Sequence, residues 1–269
     1  MLKRTLYESL KNVDRAKTEL WVDGHAKDLL LLGGFTQLQS LHFYRLSKRN
    51  ITNLANLQLP QLEELSLRLG SFSDLLCISH LTGLKRLFVW QCFKLRSLEG
   101  LAPLTGLRHL TLREIGTIDS LEPIASLVHL EELIIKGGIF SKQALPCFQP
   151  IAQLGRKLKI LDLVGGKTEH LDLTSLTRLP EPDEFGISVR FYPLEQVALL
   201  AAAYPNWGDR LMKLEYPGVR QCKKCSGPTR MLFDARSKDV CPKCDSARMD
   251  KYLSEFRSLV KQKKEDLNR

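Results

Sequence analysis

The sequence has no long apolar run. Leu29–Leu32 and the longer Val197–Tyr204 both fall far short of the roughly 20 residues a membrane-spanning helix needs. Met1–Leu10 carries basic residues without an apolar stretch behind them, so no secretory signal is expected. A disulfide framework is missing too. Of seven cysteines, four form two tight pairs and three are scattered, which points to a reducing, cytoplasmic setting. Glycine (17) and proline (12) are too few for a disordered or collagen-like chain. There is no glycine loop of phosphate-binding form; Gly33-Gly34, Gly137-Gly138 and Gly165-Gly166 read as bends. No Ser/His/Asp or Cys/His set sits in a strand–turn–helix context, so no catalytic residue is assigned and an enzyme is not expected.

What the sequence does have is basic charge, unevenly spread. The net charge is +10 over 269 residues. Residues 218–269 hold 14 Lys and Arg against 7 Asp and Glu, leaving 26 against 23 for residues 1–217. Such a balance suits nucleic acid, an acidic protein or a solubilising tail.

It also has a recurring phrase, Leu-x-x-Leu-x-Leu. Clear copies are Leu62-Glu-Glu-Leu65-Ser-Leu67, Leu107-Arg-His-Leu110-Thr-Leu112 and Leu130-Glu-Glu-Leu133-Ile-Ile135. Looser ones start at Leu38, Leu84 and Leu158, so the starts are 24, 22, 23, 23 and 28 residues apart. With this period and phrase the chain resembles the leucine-rich repeat family, in its short-repeat form. The resemblance implies an α/β fold: a solenoid with a parallel sheet on its concave face and a convex side of intervening helices. One departure is visible. The family places Asn or Cys three residues after the last leucine of the phrase; here stand Leu46, Gly70, Cys92, Ile115, Gly138 and Gly166, and only Cys92 fits.

Along the chain, residues 1–35 read as an N-terminal cap and a degenerate first repeat. Leu2, Leu6, Leu10 and Val13 at helical spacing suggest a short helix, and Glu19–Asp23 a strand. Residues 36–164 are the repeats. Asp119–Leu130 carries Leu121, Ile124, Leu127 and Leu130 at helix-like spacing, and the longer fifth interval suggests a longer helix around Ser141–Arg156. Residues 165–217 read as a C-terminal cap with a strand Ile187–Phe191, a helix Leu194–Ala203, buried Trp207 and Leu211, and a linker Tyr216–Gly218.

Residues 218–269 carry Cys222-Lys-Lys-Cys225, fifteen residues, then Cys241-Pro-Lys-Cys244. A two-residue gap lets one tight turn deliver two thiolates, and two such turns give the four tetrahedral donors of a structural zinc. Iron also accepts four thiolates. The module resembles a zinc ribbon; four cysteines serve one ion, not the two of a ubiquitin-ligase ring, and no catalytic Glu accompanies them. Gly227 is expected to ease the first turn. Thr229–Phe233 reads as a strand and Asp234–Lys238 as a loop. Met249, Tyr252, Leu253, Phe256, Leu259 and Val260 then form one stripe of a basic helix, packed on the rest or docking a partner.

Strand alternation sends one residue set to the concave face. There we expect a partner site of Trp21, Tyr44, Arg68, Arg86, Phe88, Trp90, Arg113 and Lys136, with Arg68 and Arg113 flanking Trp90. His42 and His109 read as ordinary surface residues. The resulting expectation is a non-enzymatic protein-binding scaffold with a structural zinc. By resemblance to bacterial repeat proteins, that includes an inhibitor or immunity-type role. The alternative is nucleic-acid binding through the ribbon's Lys223, Lys224, Arg230, Lys238 and Lys243, against which Phe233 is the only aromatic between the cysteine pairs. No membrane partner is expected.

Overall fold

The computed structural model describes residues 5–138, 143–214, 216–233 and 239–269. It divides into two compact units, Met1–Glu169 with Pro182–Ile187, and His170–Glu181 with Ser188–Arg269.

The first unit is built on one parallel sheet. Its strands are β1 (Leu6–Tyr7), β2 (Glu19–Asp23), β3 (Ser40–Tyr44), β4 (Glu64–Arg68), β5 (Arg86–Trp90), β6 (His109–Arg113) and β7 (Glu132–Lys136). After β8 (Gln143–Leu145) come β9 (Ile160–Leu163), β10 (Gly166–Thr168) and β11 (Glu184–Ile187). The sheet runs β1-β2-β3-β4-β5-β6-β7-β9-β11, while β8 and β10 pair in a separate parallel ribbon. Pairing from β2 to β7 is one-to-one without slippage, for example Leu41 to Leu65 to Leu87 to Leu110 to Leu133.

Because the pleat alternates, each strand sends its second and fourth residues inward. One inward column is Leu20, Leu41, Leu65, Leu87, Leu110, Leu133 and Leu161; the other is Val22, Phe43, Leu67, Val89, Leu112, Ile135 and Leu163, all buried. A slip of one residue would turn both columns out to water, so burial itself fixes the register.

The side opposite the sheet differs from the expected helices. Among the described residues it is made of short 3-10 turns, such as Leu76–Ile78, Glu122–Ile124 and Ile151–Gln153, with one short α-helix, α1 (Lys48–Ile51). The reason lies in the leucine spacing. Ile115, Ile118, Leu121, Ile124, Leu127, Leu130 and Leu133 recur every third residue and all are buried. On an α-helix a step of three drifts by about 60° each time, so seven such residues would circle the axis. On a 3-10 turn residues i and i+3 eclipse and keep one face. A repeat of 22–24 residues, five of them in the strand, also leaves little room for a longer helix.

Two further expectations in this unit change. Residues 5–18 form β1 and turns rather than a helix; Leu6 and Tyr7 instead extend the sheet beside Trp21 and Val22. In the longer interval, residues 141–142 lie outside the described residues, and the rest of it holds β8 and a 3-10 turn in place of the expected helix. The expected strand over Ile187–Phe191 falls earlier, as β11, where Glu184 to Ile187 pair with Ile160 to Leu163; Val189–Phe191 is a 3-10 turn.

The second unit contains α2 (Leu194–Ala203), as expected, then α3 (Pro205–Met212), β12 (Pro217–Gln221), β13 (Pro228–Arg230) and α4 (Ser246–Leu267). Pro217 and Gly218, expected as a linker, begin β12, which pairs antiparallel with β13. The Glu181 carboxylate caps α3, accepting from the Trp207 N–H at 2.7 Å and the Asn206 N–H at 3.2 Å, where a helix start leaves such donors unsatisfied. Trp207 and Leu211 are buried. The buried Tyr204 hydroxyl donates to the Leu176 carbonyl at 2.7 Å. α4 packs against α2, burying Leu253, Phe256 and Val260.

Candidate functional site

Four successive repeats turn off their strands in the same way. Arg45, Leu69, Gln91 and Glu114, each one residue past a strand, have left-handed backbone with φ of 62°, 54°, 55° and 51°. Their N–H groups donate to Arg68, Trp90, Arg113 and Lys136 carbonyls of the next strand, at 2.8 to 3.0 Å. The hydrogen-bond ladder thus continues through a corner that non-glycine residues enter at a cost of roughly 1–2 kcal/mol each. Beyond the corner, the Cys92 sulfur accepts from the Gly70 N–H at 3.3 Å, so this side chain bridges to the backbone of the preceding repeat. Leu46 and Ile115, at the same place in their repeats, are simply buried.

The fold is a leucine-rich repeat solenoid. Among solved structures, it is similar to two internalins of Listeria monocytogenes. InlF has 22% identity and a TM-score of 0.42, with 63% of this chain and 53% of that one covered. Internalin C2 has 24% identity and a TM-score of 0.42, with 55% and 61% covered. A leucine-rich repeat protein of Leptospira interrogans has 20% identity and a TM-score of 0.33, with 68% and 57% covered. The chain therefore spans little more than half the length of each. No protein-family model and no curated protein matches it.

The outward residues of the repeat strands form the open face. In register across it, Arg68 lies beside Trp90 and Trp90 beside Arg113; Ser66 lies beside Phe88. The Arg68 guanidinium sits over three rings, 4.9 Å from the centre of Phe88, 5.1 Å from Trp21 and 5.8 Å from Trp90. Its Nε donates to Ser66 Oγ at 3.1 Å. Trp21 in turn stacks on His42, centroids 4.1 Å apart and planes 14° apart. The cluster thus spans four repeats and is held rigid by cation–π and stacking contacts, each worth on the order of 1 kcal/mol. Trp21, Tyr44, Arg68, Phe88, Trp90 and Lys136 are half-buried, and Arg86 and Arg113 exposed.

Contacts between charged and polar side chains organise the rest of the face. Arg86 meets Glu64 at 3.0 Å and His109 meets Glu132 at 3.5 Å. Lys136 pairs with Asp162, and the corner Arg45 with Asp23. His42, expected at the surface, is only 6% exposed. The Trp21 ring covers it, and Glu19 lies 3.5 Å and Glu64 4.0 Å from its Nε2.

Corner residues that the sequence reading passed over complete the patch. Trp90 Nε1 donates to Glu114 at 3.3 Å, and Gln91 Nε2 to the same carboxylate at 3.0 Å. Phe93, just past the same corner, is 63% exposed. The signal for these was their fixed offset from the end of each strand.

The second site is the cysteine cluster. The sulfurs of Cys222, Cys225, Cys241 and Cys244 all lie within 4.8 Å of one another, and those of Cys225 and Cys241 are 3.6 Å apart. Four sulfurs at about 2.3 Å from one tetrahedral ion lie roughly 3.8 Å apart, so the spacing fits a single metal. An iron–sulfur cluster spreads its thiolates over several irons and would hold them farther apart. The backbone N–H groups of Cys225 and Lys224 aimed at the Cys222 sulfur bring its thiol down to about 6. Hydrogen bonding with Cys225 first, then burial and the other two sulfurs, pushes Cys244 up to about 12. Four thiolates this close repel unless a cation lies between them.

The first turn works differently from the expectation. The left-handed residue is Ser226, at φ 55°, and its N–H donates to the Cys222 carbonyl at 2.8 Å. Gly227 supplies room instead: a Cβ there would come within 3.3 Å of the Cys225 sulfur. Arg230 and Val240 form an antiparallel bridge between the two turns. The expected loop Asp234–Lys238, with Lys238, lies outside the described residues. Phe233 anchors the ribbon to α4. Its ring is 5.0 Å from Phe256 and 5.8 Å from Tyr252, and its N–H donates to the Tyr252 hydroxyl at 2.8 Å. Among the described residues no helix is long and apolar enough to cross a membrane.

Proposed function

We propose that this protein is a non-enzymatic scaffold that grips a protein partner on the open face of its repeats. The observation that carries the reading is the cluster of Trp21, Phe88 and Trp90 around Arg68 on that face. Parallel sheets usually bury both faces. This one carries half-buried aromatic rings, which are the residues enriched at interface hot spots. The contact set is Trp21, Tyr44, Arg68, Arg86, Phe88, Trp90, Arg113 and Lys136. The rings are already fixed by their neighbours, so little ordering entropy is lost on binding. A rigid one-sided face without a catalytic set suits an inhibitor or immunity-type protein that neutralises one target.

The four cysteines hold a structural zinc, and the ion stands in for a core that the small ribbon lacks. A reducing compartment such as the cytoplasm keeps those thiols available. The test is a partner captured with the intact chain and then titrated against Trp90→Ala. The variant should lose about 2 kcal/mol, close to 30-fold in Kd. Equal affinity with an unchanged fold would place the contact elsewhere.

A further inference from the structure

The open face is electrostatically divided, and the division names the chemistry of what binds there. The first residue of each strand from β2 to β7 contributes Glu19, Ser40, Glu64, Arg86, His109 and Glu132. The last contributes Asp23, which pairs with Arg45, then Tyr44, Arg68, Trp90, Arg113 and Lys136. The two rows are about 13 Å apart, four residues at roughly 3.3 Å each. In the first row the carboxylates already have partners. Glu64 takes Arg86, Glu132 takes His109, and Glu19 accepts from Trp21 Nε1 at 2.9 Å.

In the last row Lys136 is paired with Asp162. Arg113 is exposed and has no ion pair among the described residues. The nearest carboxylate in sequence, Glu114, is already shared by Trp90 and Gln91. Arg113 is therefore an exposed cation of the last row without a carboxylate partner among the described residues, one strand from Trp90 and two from Arg68. A carboxylate there would meet a fork of guanidinium donors beside the Trp90 ring. The Arg68 guanidinium, its plane against aromatic rings, lies about 10 Å along the row at 4.7–4.9 Å per strand.

We propose that the partner presents an acidic segment to this row, with one Asp or Glu carboxylate on Arg113 and an apolar side chain against Trp90. This rests on the open-face reading above. Like-charged or neutral segments gain nothing from Arg113, so it acts as the specificity-determining contact of the face.

The test is a display library of random 12-residue peptides selected on the immobilised full-length chain. Selected peptides should be rich in Asp and Glu. The best one, synthesised with a fluorophore, should bind Arg113→Glu at least tenfold more weakly and Arg113→Gln several-fold more weakly. Both variants should keep the wild-type melting temperature, because Arg113 has no ion pair to lose. Lys261→Glu, the same charge change on α4, should leave binding unaltered. Equal losses in Arg113→Glu and Lys261→Glu would mean general attraction to a +10 chain and would overturn the proposal. Peptides lost with Trp90→Ala but indifferent to Arg113→Glu would overturn the acidic segment and leave the open face as the site. Peptides indifferent to both would overturn both.

Discussion

Gly100→Ala should be among the most damaging single-methyl additions to the solenoid. Gly100 has φ +101°, a backbone conformation that L side chains avoid. A Cβ there would also overlap the carbonyl of Leu75, on the neighbouring repeat. The backbone term is roughly 1–2 kcal/mol, and overpacking against a rung that cannot move aside adds about 1–3 kcal/mol. The expected loss is therefore about 3 kcal/mol. For a unit of this size that is about 6–12 °C in Tm, at 2–4 °C per kcal/mol. Gly155→Ala is the control. Its Cβ would meet only the Val128 carbonyl at 3.5 Å, an ordinary contact, and its φ is not positive. It should be neutral or gain up to about 1 kcal/mol from the stiffer unfolded chain. Urea and thermal melts of both variants decide the matter. If Gly100→Ala stays within about 0.5 kcal/mol of wild type, the close stacking of adjacent repeats is wrong.

The metal site and the N-terminal turn give two further expectations. Cys222→Ser or Cys244→Ser should abolish stoichiometric zinc, measured by elemental analysis, and loosen the ribbon, while melts of the repeats stay unchanged; full zinc content in either variant would refute the site. Asp28 accepts from the Ser9 hydroxyl at 2.7 Å and the Leu10 N–H at 2.9 Å. Burial raises its carboxyl, but those bonds and Lys11 outweigh it, so the group is held below its ordinary value. A depressed carboxyl stabilises the fold above its unfolded value and loses that contribution as pH falls through the folded one. Asp28→Asn should therefore be less stable than wild type at pH 7, with the difference closing at acid pH once the carboxyl is protonated in both states. A pH-independent difference would refute the assignment.

Much of this architecture is legible in the sequence, because one rule repeats. The strand over Glu19–Asp23 and the helix over Leu194–Ala203 can be read from alternation and helical spacing alone. The order of Arg68, Trp90 and Arg113 comes from counting between leucines. What misleads is the spacing of three. It mimics half of an amphipathic helix pattern, and only its persistence over seven leucines and isoleucines shows that it cannot be one. His42 misleads for another reason: its burial comes from the flat ring of Trp21, a repeat earlier, and no local pattern encodes that. The role of Ser226 at the first cysteine turn is likewise a matter of φ, which a neighbouring glycine conceals.

The one-to-one pairing from β2 to β7 also bears on how such a chain changes over generations. Every rung from β2 to β7 docks to the next through the same two inward columns, and those of β3 to β6 share the same left-handed corner. A segment of 22–24 residues can then be duplicated, deleted or exchanged without re-solving the core. Selection can revise the outward letters, Trp90 and Arg113 among them, one rung at a time, while the inward columns and the fold stay as they are.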